Sequence, residues 1–311
     1  MAILEEGTKA HELIMAKDAK PSSLLPGELD PAMLEADIVL GQPDEQQSLA
    51  SENLKWIEVT SAGYTRYDTP EFKETLRDHG AVFTNMSAVF ADPCAQHLLA
   101  MMLALSRQLP ASWEDQQRLE PAWEYYGRRA VSTLLTGQTV LILSYGSIAR
   151  RLVELLKPFG MKIYALRRRT YSESGVHVIA EERLSAVLPE VDHLVNILPG
   201  SEETERFVNA RRLALLKRGA RFYNIGRGAT VDQPALIEAL ERGHLDAAYL
   251  DVMEPEPLPP EHRLWRTRNC FITPHTGGGR GDQDVAIVEH FLANLARFER
   301  RDLDAMTDRI V

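Results

Sequence analysis

From about residue 139 onward, short apolar runs alternate with segments whose apolar residues recur at helical spacing. The runs are rich in β-branched and aromatic residues and read TVLIL, KIYAL, HLVNIL, RFYNI, AAYLDV and CFIT. Most of the intervening segments, such as IARRLVELLK and PALIEALERG, have the apolar periodicity of an amphipathic helix. Strands that are apolar on both faces and alternate with helices predict a parallel, doubly wound α/β sheet of six strands.

A smaller α/β unit, which we also predict to be a doubly wound parallel sheet, precedes this one. The runs ADIVL, KWIEV and AVFTN predict its strands, and TPEFKETLRDHG predicts a helix between two of them. An apolar segment from about Asp92 to Leu109 predicts the helix that begins the larger unit, and a helix at roughly 282–300 returns the chain to the smaller one. We therefore expect a discontinuous smaller domain, 1–88 plus 284–311, and a larger domain, 89–283. A length of 311 residues agrees with two domains.

The charge balance limits the partners. A formal net charge of -10 argues against nucleic acid or an anionic membrane, because both attract basic surfaces. The N-terminus has acidic residues where a secretory signal is basic, and the apolar run LLAMMLAL is about half as long as a membrane crossing requires. With two cysteines, Cys94 and Cys270, a disulfide framework is not expected. These features favour a cytoplasmic protein, and we expect no metal site.

A glycine-containing turn follows the first strand of the larger unit. In TVLILSYGSIARRL a strand runs into a turn and then a helix, the context in which helix N-terminal amides bind a pyrophosphate. Against the dinucleotide pattern GxGxxG/A the sequence has Ser144, Gly146 and Ala149, so the first glycine is replaced. We place Ser144, Gly146, Ser147 and Ile148 at a dinucleotide; the alternative is an ordinary strand-to-helix turn.

The second strand of this unit, KIYAL, ends in three arginines. A dinucleotide fold reads the ribose 2′-hydroxyl with an acidic residue here, whereas arginine accommodates a 2′-phosphate. Arg167 and Arg168 therefore favour NADP over NAD, because guanidinium groups bind phosphate bidentately. The alternative is a solvated charge run at a strand end.

Polar groups follow three later strands of the predicted sheet. Arg227 lies between two glycines in RFYNIGRG, Asp251 and Glu256 follow AAYL, and His275 follows CFIT. Ligands of open α/β sheets bind beyond the carboxyl ends of the strands, so these groups are candidates for one site. Each of three groups also has an ordinary explanation. His275 could be a loop histidine whose hydrogen bonds are made within the protein, Glu256 could be an acidic turn residue between prolines, and Arg227 could pair with any carboxylate.

Taken together, these motifs resemble the D-isomer-specific 2-hydroxyacid dehydrogenases, a family that includes glyoxylate/hydroxypyruvate reductases. The similarity covers nearly the whole chain, and its most specific parts are LILSYGSIARRL, the stretch from LPGSEETERF through NIGRGATVD to DVMEPEPLP, and LWRTRNCFITPH. The resemblance implies a Rossmann-type dinucleotide-binding larger domain and a flavodoxin-like substrate domain. It also implies a homodimer contact through the helix ADPCAQHLLAMMLALSRQL.

The resemblance assigns a role to each candidate residue. It implies that Arg227 binds the substrate carboxylate and keto oxygen, that His275 is the acid/base, and that Glu256 holds His275. Asp251 matches the residue that orients the nicotinamide amide. The remaining assignments are to the substrate loop, with Ser61, Ala62 and Gly63, and to the cofactor site, with Pro199, Thr204, Ile225, Gly226 and Gly277.

The chemistry fits these roles. Reduction of a 2-keto acid delivers a hydride to the carbonyl carbon while the oxygen gains a proton, so a histidine near that oxygen is suited to donate it. A neighbouring carboxylate stabilises the imidazolium and fixes the ring orientation. Arg227 would neutralise the acid group and polarise the carbonyl. We therefore predict an NAD(P)-dependent reductase of a small 2-keto acid, with NADP preferred.

Three other readings stay open. Corepressors share this scaffold, so a dinucleotide-sensing regulatory protein is the alternative from another class. Among enzymes, Glu256 counts against formate oxidation, because formate dehydrogenases pair the histidine with glutamine, whereas phosphite oxidation stays possible. The pocket could also be adapted to an unusual acid, and Arg280 is not assigned to the site.

The chain also departs from the family before ADIVL, where the first strand of the substrate domain is expected to be atypical or missing.

Overall fold

The computed structural model describes residues 2–16, 29–169, 171 and 173–311. The chain divides into two compact units, one of Met1–Phe90 with Gly279–Val311 and one of Ala91–Gly278. The strands are β1 Ile38–Gly41, β2 Trp56–Val59, β3 Val82–Thr84, β4 Thr139–Leu143, β5 Lys162–Leu166, β6 His177–Ile179, β7 His193–Asn196, β8 Ala220–Asn224, β9 Leu245–Leu250 and β10 Cys270–Ile272. The α-helices are α1 Ala2–Gly7, α2 Glu45–Ala50, α3 Pro70–Asp78, α4 Ser87–Ser106, α5 Leu109–Gln117, α6 Tyr125–Val131, α7 Ser147–Leu156, α8 Leu184–Val187, α9 Ala210–Leu215, α10 Gln233–Glu241 and α11 Gln283–Glu299.

The larger unit contains a seven-stranded, fully parallel sheet. Its order is β10-β9-β8-β7-β4-β5-β6, so the chain builds outward from β4 to β6 and then returns to build outward from β7 in the other direction. This reversal between β4 and β7 is the switch point at which doubly wound sheets bind their ligands. The predicted doubly wound α/β class is confirmed.

The predicted number of strands in this sheet was one too few. The strand missing from the prediction is β6, which has three residues, pairs on one side with β5, and has no fully buried residue. Such a short edge strand lacks the apolar run by which the other six were recognised, because only one of its faces packs on the protein.

Alternate side chains of the central strands pack on opposite faces of the large sheet. Leu141 and Leu143 of β4 belong to a cluster with residues of α8, α9 and α10. Val140 and Ile142 belong to another with residues of α4 and α7. This two-sided burial is the reason that the strands read as continuous apolar runs.

The smaller unit has a three-stranded parallel sheet in the order β1-β2-β3. Ile57 and Phe83 pack on one face with Phe72 of α3, and Trp56 packs on the other face, stacked on Phe291 of α11 at a centroid distance of 5.1 Å. Helices therefore cover both faces of this sheet, as predicted. Its three strands follow each other in chain order, so the reversal of strand order belongs to the larger sheet. The C-terminal segment adds an antiparallel bridge between Thr84 and Arg309.

Before β1, the described residues form α1 and a 3-10 turn, Pro31–Leu34, and no strand. Among the described helices, α4 is long and apolar enough to cross a membrane by length and composition alone. In the structure Ala95, Leu98 and Met102 of this helix are completely buried against the large sheet.

Candidate active site

The polar groups singled out in the larger unit lie at one edge of its sheet. The carboxyl end of β4 leads to Ser144 and Gly146, and that of β7 leads to Pro199. Beyond the carboxyl ends of β8, β9 and β10 come Arg227, then Asp251 and Glu256, then His275. Because all strands of the sheet are parallel, these ends share one edge.

Arg227 lies in a turn that packs tightly against the protein's own backbone. A Cβ on Gly226 would lie 2.6 Å from the carbonyl oxygen of Leu198, and a Cβ on Gly228 would overlap the carbonyl group of Met253. The flanking glycines are therefore required by contacts with the ends of β7 and β9, and these contacts fix the path of the chain through Arg227.

Two buried asparagines hold this turn. The amide of Asn196 donates to Oδ1 of Asn224 at 2.9 Å and to the hydroxyl of Thr230 at 2.7 Å. Asn224 accepts a hydrogen bond from the Gly226 amide at 3.1 Å and donates to the Arg227 carbonyl at 3.2 Å. These two residues are not among the site residues predicted from the sequence. The available signal was a polar side chain at the end of each apolar run, HLVN and RFYN.

The Arg227 side chain is half-buried. Burial lowers the pKa of this guanidinium, although the nearby carboxylate of Glu256 acts in the opposite direction. One of its nitrogens donates to the Gly226 carbonyl at 2.7 Å. A partly desolvated cation at this edge of the sheet is suited to bind a small carboxylate.

His275 and Glu256 are in direct contact. Nδ1 of His275 lies 2.8 Å from Oε2 of Glu256, and Oε1 of Glu256 accepts from the Met253 amide at 3.0 Å. Burial raises the pKa of Glu256, but the hydrogen bonds from His275 and Met253 outweigh it and hold that pKa below its ordinary value. The carboxylate therefore stays ionised and orients the ring, leaving Nε2 for a reacting group.

The backbone of His275 is in the left-handed region, with φ at 54°. Its amide lies 2.9 Å from the Asp251 carbonyl and 3.0 Å from the Thr273 carbonyl, and these contacts hold it there. Backbone conformations of this kind are concentrated at functional sites.

Asp251 is nearly inaccessible, with 2% of its surface exposed, and it binds the loop that follows His275. Its Oδ1 accepts from the Thr276 amide at 2.8 Å, and its Oδ2 accepts from the Gly277 amide at 2.9 Å. A Cβ on Gly277 would lie 2.7 Å from Oδ2, so glycine is needed for this contact.

The turn after β4 has the features that a dinucleotide requires. Ser144 has a φ of 84°, so this serine adopts the left-handed conformation for which the family pattern uses glycine. Gly146 is the N-cap of α7, no side chain caps that helix, and a Cβ on Gly146 would meet no atom within 4 Å. The first-turn residues Ser147 and Ile148 thus present amides to a pyrophosphate that could approach Gly146 closely.

The predicted adenosine-side residues follow β5 and β7. The Arg167 guanidinium lies 5.2 Å from the ring centroid of Tyr171, and exposed Arg168 forms an ion pair with Glu203. The Thr204 hydroxyl donates to the Pro199 carbonyl at 2.7 Å. The two arginines that follow β5 therefore have different partners: Arg167 lies over an aromatic ring, and Arg168 is ion-paired.

Ser61, Ala62 and Gly63, the residues predicted to form the substrate loop, lie in the smaller unit beyond the carboxyl end of β2. The Asn85 amide donates to the Ala62 carbonyl at 2.7 Å, and the Met86 amide donates to the Ser61 carbonyl at 3.0 Å. Within the described part of the chain, no group accepts a hydrogen bond from the backbone amides of Ala62 and Gly63. The loop therefore has fixed carbonyls and amides available to an anion.

No group of three or more His, Cys, Asp or Glu side chains among the described residues could hold a metal ion. The larger unit instead combines a dinucleotide-type switch point, a histidine held by a carboxylate, and a half-buried arginine. These features define a nicotinamide-dependent oxidoreductase.

The comparisons with known proteins agree. Residues 99–277 match the family described as "D-isomer specific 2-hydroxyacid dehydrogenase, NAD binding domain". The chain is 33% identical over 225 residues to a glyoxylate reductase from Aeropyrum pernix, covering 70% of this chain and 67% of that one. The protein belongs to the D-isomer-specific 2-hydroxyacid dehydrogenase family, and it is an NAD(P)-dependent enzyme of that family.

Solved structures show the same relationship. A D-isomer-specific 2-hydroxyacid dehydrogenase from Xanthobacter autotrophicus Py2, in complex with NADPH and MES, superposes with a TM-score of 0.80 at 26% identity, over 100% of this chain and 93% of that one. An NADPH-dependent glyoxylate/hydroxypyruvate reductase from Sinorhizobium meliloti, in complex with NADP and malonate, has a TM-score of 0.71 at 25% identity, covering 92% and 95%. The regulatory alternative finds no support among these relatives. The cofactor is NAD or NADP, as predicted.

Proposed function

We propose that this enzyme is an NADPH-preferring reductase of a small, unbranched 2-keto acid of the glyoxylate or hydroxypyruvate type. The observation that carries the proposal is the His275–Glu256 hydrogen bond of 2.8 Å at the sheet edge that also holds Arg227. The names of the relatives support the substrate class, since those reported above include reductases of glyoxylate and of hydroxypyruvate.

Each catalytic group has a defined task in this proposal. The bound dinucleotide supplies a hydride to the carbonyl carbon of the acid. Arg227 binds the keto oxygen and carboxylate, where its positive charge stabilises the negative charge that develops on the oxygen. His275 donates a proton to that oxygen from Nε2, and Glu256 stabilises the imidazolium through Nδ1.

The dinucleotide is held by the loops at the switch point. We assign the pyrophosphate to Gly146 and the amides of Ser147 and Ile148, with Ser144 forming the turn. Asp251 would accept a hydrogen bond from the nicotinamide carboxamide, beside Ile225, Gly226 and Gly277. The adenosine side is assigned to Pro199 and Thr204, and a ribose 2′-phosphate to Arg167 and Arg168, whose guanidinium groups make NADP the preferred cofactor.

The smaller domain, proposed as 1–88 plus 284–311, contributes the loop Ser61–Gly63, whose amides bind the substrate carboxylate. The larger domain, 89–283, binds the dinucleotide. We also propose a cytoplasmic homodimer with no nucleic-acid or membrane partner. Large apolar side chains on and after α5 support the dimer, since Trp113, Trp123 and Tyr126 are 58%, 93% and 84% exposed.

The test compares turnover and dinucleotide binding in His275→Asn. The expected result is a loss of about 10²–10⁴-fold in turnover with an unchanged dinucleotide dissociation constant, because the proton donor is lost and the dinucleotide contacts remain. His244→Asn is the matched control, since His244 precedes β9 at the opposite edge of the same sheet. Turnover that survives in His275→Asn would defeat the assignment.

A further inference from the structure

A line of hydrogen bonds runs from helix α4 to the carboxylate of Asp251. Nε2 of His97 lies 2.5 Å from the hydroxyl of Tyr249, which lies 2.5 Å from the hydroxyl of Thr273. That hydroxyl donates to Oδ1 of Asp251 at 2.5 Å. The chain thus connects α4, β9 and the end of β10, and neither Tyr249 nor His97 belongs to the catalytic set described above.

The arrangement follows from strand geometry. Tyr249 and Asp251 are two residues apart at the end of β9, so their side chains point to the same face of the sheet. On that face Tyr249 is fully buried in the apolar cluster that includes residues of α4. A phenol hydroxyl in such surroundings needs a partner, and both of its partners belong to the line.

The carboxylate gives the line a single direction. An ionised Asp251 only accepts, so the one hydrogen of the Thr273 hydroxyl points to Oδ1 and Thr273 must accept from Tyr249. The one hydrogen of the Tyr249 hydroxyl is then committed to Thr273, so Tyr249 accepts from His97. His97 therefore carries hydrogen on Nε2. Burial raises the pKa of Tyr249, which keeps its hydroxyl protonated as a donor.

The two oxygens of Asp251 are consequently unequal. Oδ1 accepts from Thr273 and from the Thr276 amide, whereas among the residues that the structure describes Oδ2 accepts only from the Gly277 amide. A carboxylate oxygen has about two acceptor positions, so Oδ2 retains one. Rotation of the carboxylate would break the bond to Thr273, on which the rest of the line depends.

We propose that Tyr249 and His97 are positioning residues that hold the Asp251 carboxylate with Oδ2 directed to the nicotinamide carboxamide. The inference rests on the proposed role of Asp251 toward the dinucleotide. The line acts on the nicotinamide half of the cofactor only, since none of its members belongs to the turn after β4 or to the ends of β5 and β7.

Tyr249→Phe tests this proposal, because it removes the hydroxyl and keeps the ring. Its matched control is Tyr223→Phe on the neighbouring strand β8. Tyr223 is also fully buried, and its hydroxyl bonds His193 at 3.0 Å instead of this line. Dissociation constants are measured for the reduced dinucleotide that the wild type prefers and for the corresponding ADP-ribose, which has no nicotinamide.

The expected result for Tyr249→Phe is a dissociation constant and KM for the dinucleotide raised about tenfold, with ADP-ribose binding unchanged. Tyr223→Phe should leave both affinities unchanged. Because His97 acts through the Tyr249 hydroxyl, His97→Leu should weaken dinucleotide binding as Tyr249→Phe does. His97→Gln, whose side chain has an N–H, should keep the wild-type dinucleotide affinity. The double variant His97→Leu/Tyr249→Phe should bind the dinucleotide no more weakly than Tyr249→Phe alone.

Equal dinucleotide affinities in Tyr249→Phe and Tyr223→Phe, or an equal loss of ADP-ribose binding, would overturn the proposal. Should Tyr249→Phe fail to fold, the contrast between His97→Leu and His97→Gln decides the question. Failure of the proposed function would give a different result, namely a wild-type protein that turns over no 2-keto acid. The ratio of the dissociation constants for the dinucleotide and for ADP-ribose would still report on the line of hydrogen bonds.

Discussion

Oε2 of Glu256 lies 2.8 Å from Nδ1 of His275, and Glu256 is itself held by the Met253 amide at 3.0 Å. The carboxylate thereby fixes which ring nitrogen faces away from it. Glu256 has the lowered pKa of an ionised, hydrogen-bonded acid despite its partial burial. The pair is therefore a charged acid that holds an imidazole ring, and the effect of the charge can be tested by neutralising the acid.

Glu256→Gln should lower kcat/KM for 2-keto acid reduction about 10–100-fold. The loss is expected because the amide removes the negative charge beside Nδ1 of His275 and no longer fixes the ring orientation. The measurement is kcat/KM for 2-keto acid reduction. Exposed Glu254→Gln is the control, and an unchanged kcat/KM in Glu256→Gln would show that the carboxylate is not needed.

The guanidinium of half-buried Arg227 gives a second prediction. Arg227→Lys keeps a positive charge but loses the planar fork, so kcat/KM for the acid should fall about 100-fold, while Arg227→Ala should lose about tenfold more. The dinucleotide dissociation constant should stay unchanged in both. Arg242→Ala, at the end of α10, is the surface control. Equal activity in Arg227→Lys and the wild type would argue against bidentate binding of the substrate.

The proposed preference for NADP depends on the arginines that follow β5. Arg167→Asp should shift the ratio of kcat/KM for NADPH over NADH at least tenfold toward NADH, because the aspartate repels a 2′-phosphate and accepts from a 2′-hydroxyl. Steady-state kinetics with both dinucleotides measure the ratio. Arg242→Asp makes the same change in net charge away from the site. A ratio that does not move would identify the arginine run as a solvated strand end.

Two glycines of the site should respond differently to alanine. Gly228→Ala places a methyl group onto the backbone of Met253, which must shift, so we expect the free energy of unfolding to fall by about 1–3 kcal/mol and turnover to be lost. Gly146→Ala meets no protein atom, so its stability should be unchanged while dinucleotide affinity falls. Urea unfolding and dinucleotide titration separate the two effects. Normal dinucleotide binding by Gly146→Ala would remove the pyrophosphate from that turn.

A stability prediction concerns His290 in the smaller unit, which faces two carboxylates. Nδ1 lies 2.6 Å from Oε1 of Glu58, and Nε2 lies 3.4 Å from Oδ2 of Asp308. Burial alone lowers the pKa of His290, but the two carboxylates outweigh it and raise that pKa to about 9. Since the folded-state pKa exceeds the unfolded one, the stabilisation is complete below about pH 6.5 and is lost as the pH rises through about 9.

The free energy of unfolding should therefore decrease by up to about 3 kcal/mol between pH 6.5 and pH 10. Urea unfolding across this range measures the slope. In His290→Gln, which cannot be charged, stability should be lower at pH 6.5 and most of the slope should disappear. A slope that persists in His290→Gln would place the titration elsewhere.

The sequence was sufficient for those parts of the site that follow from strand ends. Arg227, Glu256 and His275 each come just after an apolar run, and in a parallel sheet such positions must share an edge. The resemblance to a known family added their roles. The geometry of the Glu256–His275 contact agrees with that assignment, although the roles themselves stay predictions until the variants are measured.

Other features depend on tertiary contacts that no local pattern contains. His97 and Tyr249 are 152 residues apart, and each alone is an ordinary residue of an apolar helix or strand. The Asn196–Asn224 pair is likewise formed only when β7 and β8 are neighbours. Ser144 shows a different limit, because its left-handed backbone is imposed by the turn and contradicts the local preference of serine.

The most direct measurement is the initial rate of NADPH and NADH oxidation by the purified protein with glyoxylate, hydroxypyruvate, pyruvate and a bulkier 2-keto acid in parallel. The account predicts turnover with the small acids, faster with NADPH than with NADH, and a decline with the bulkier acid. Tight dinucleotide binding without turnover of any of these acids would contradict it.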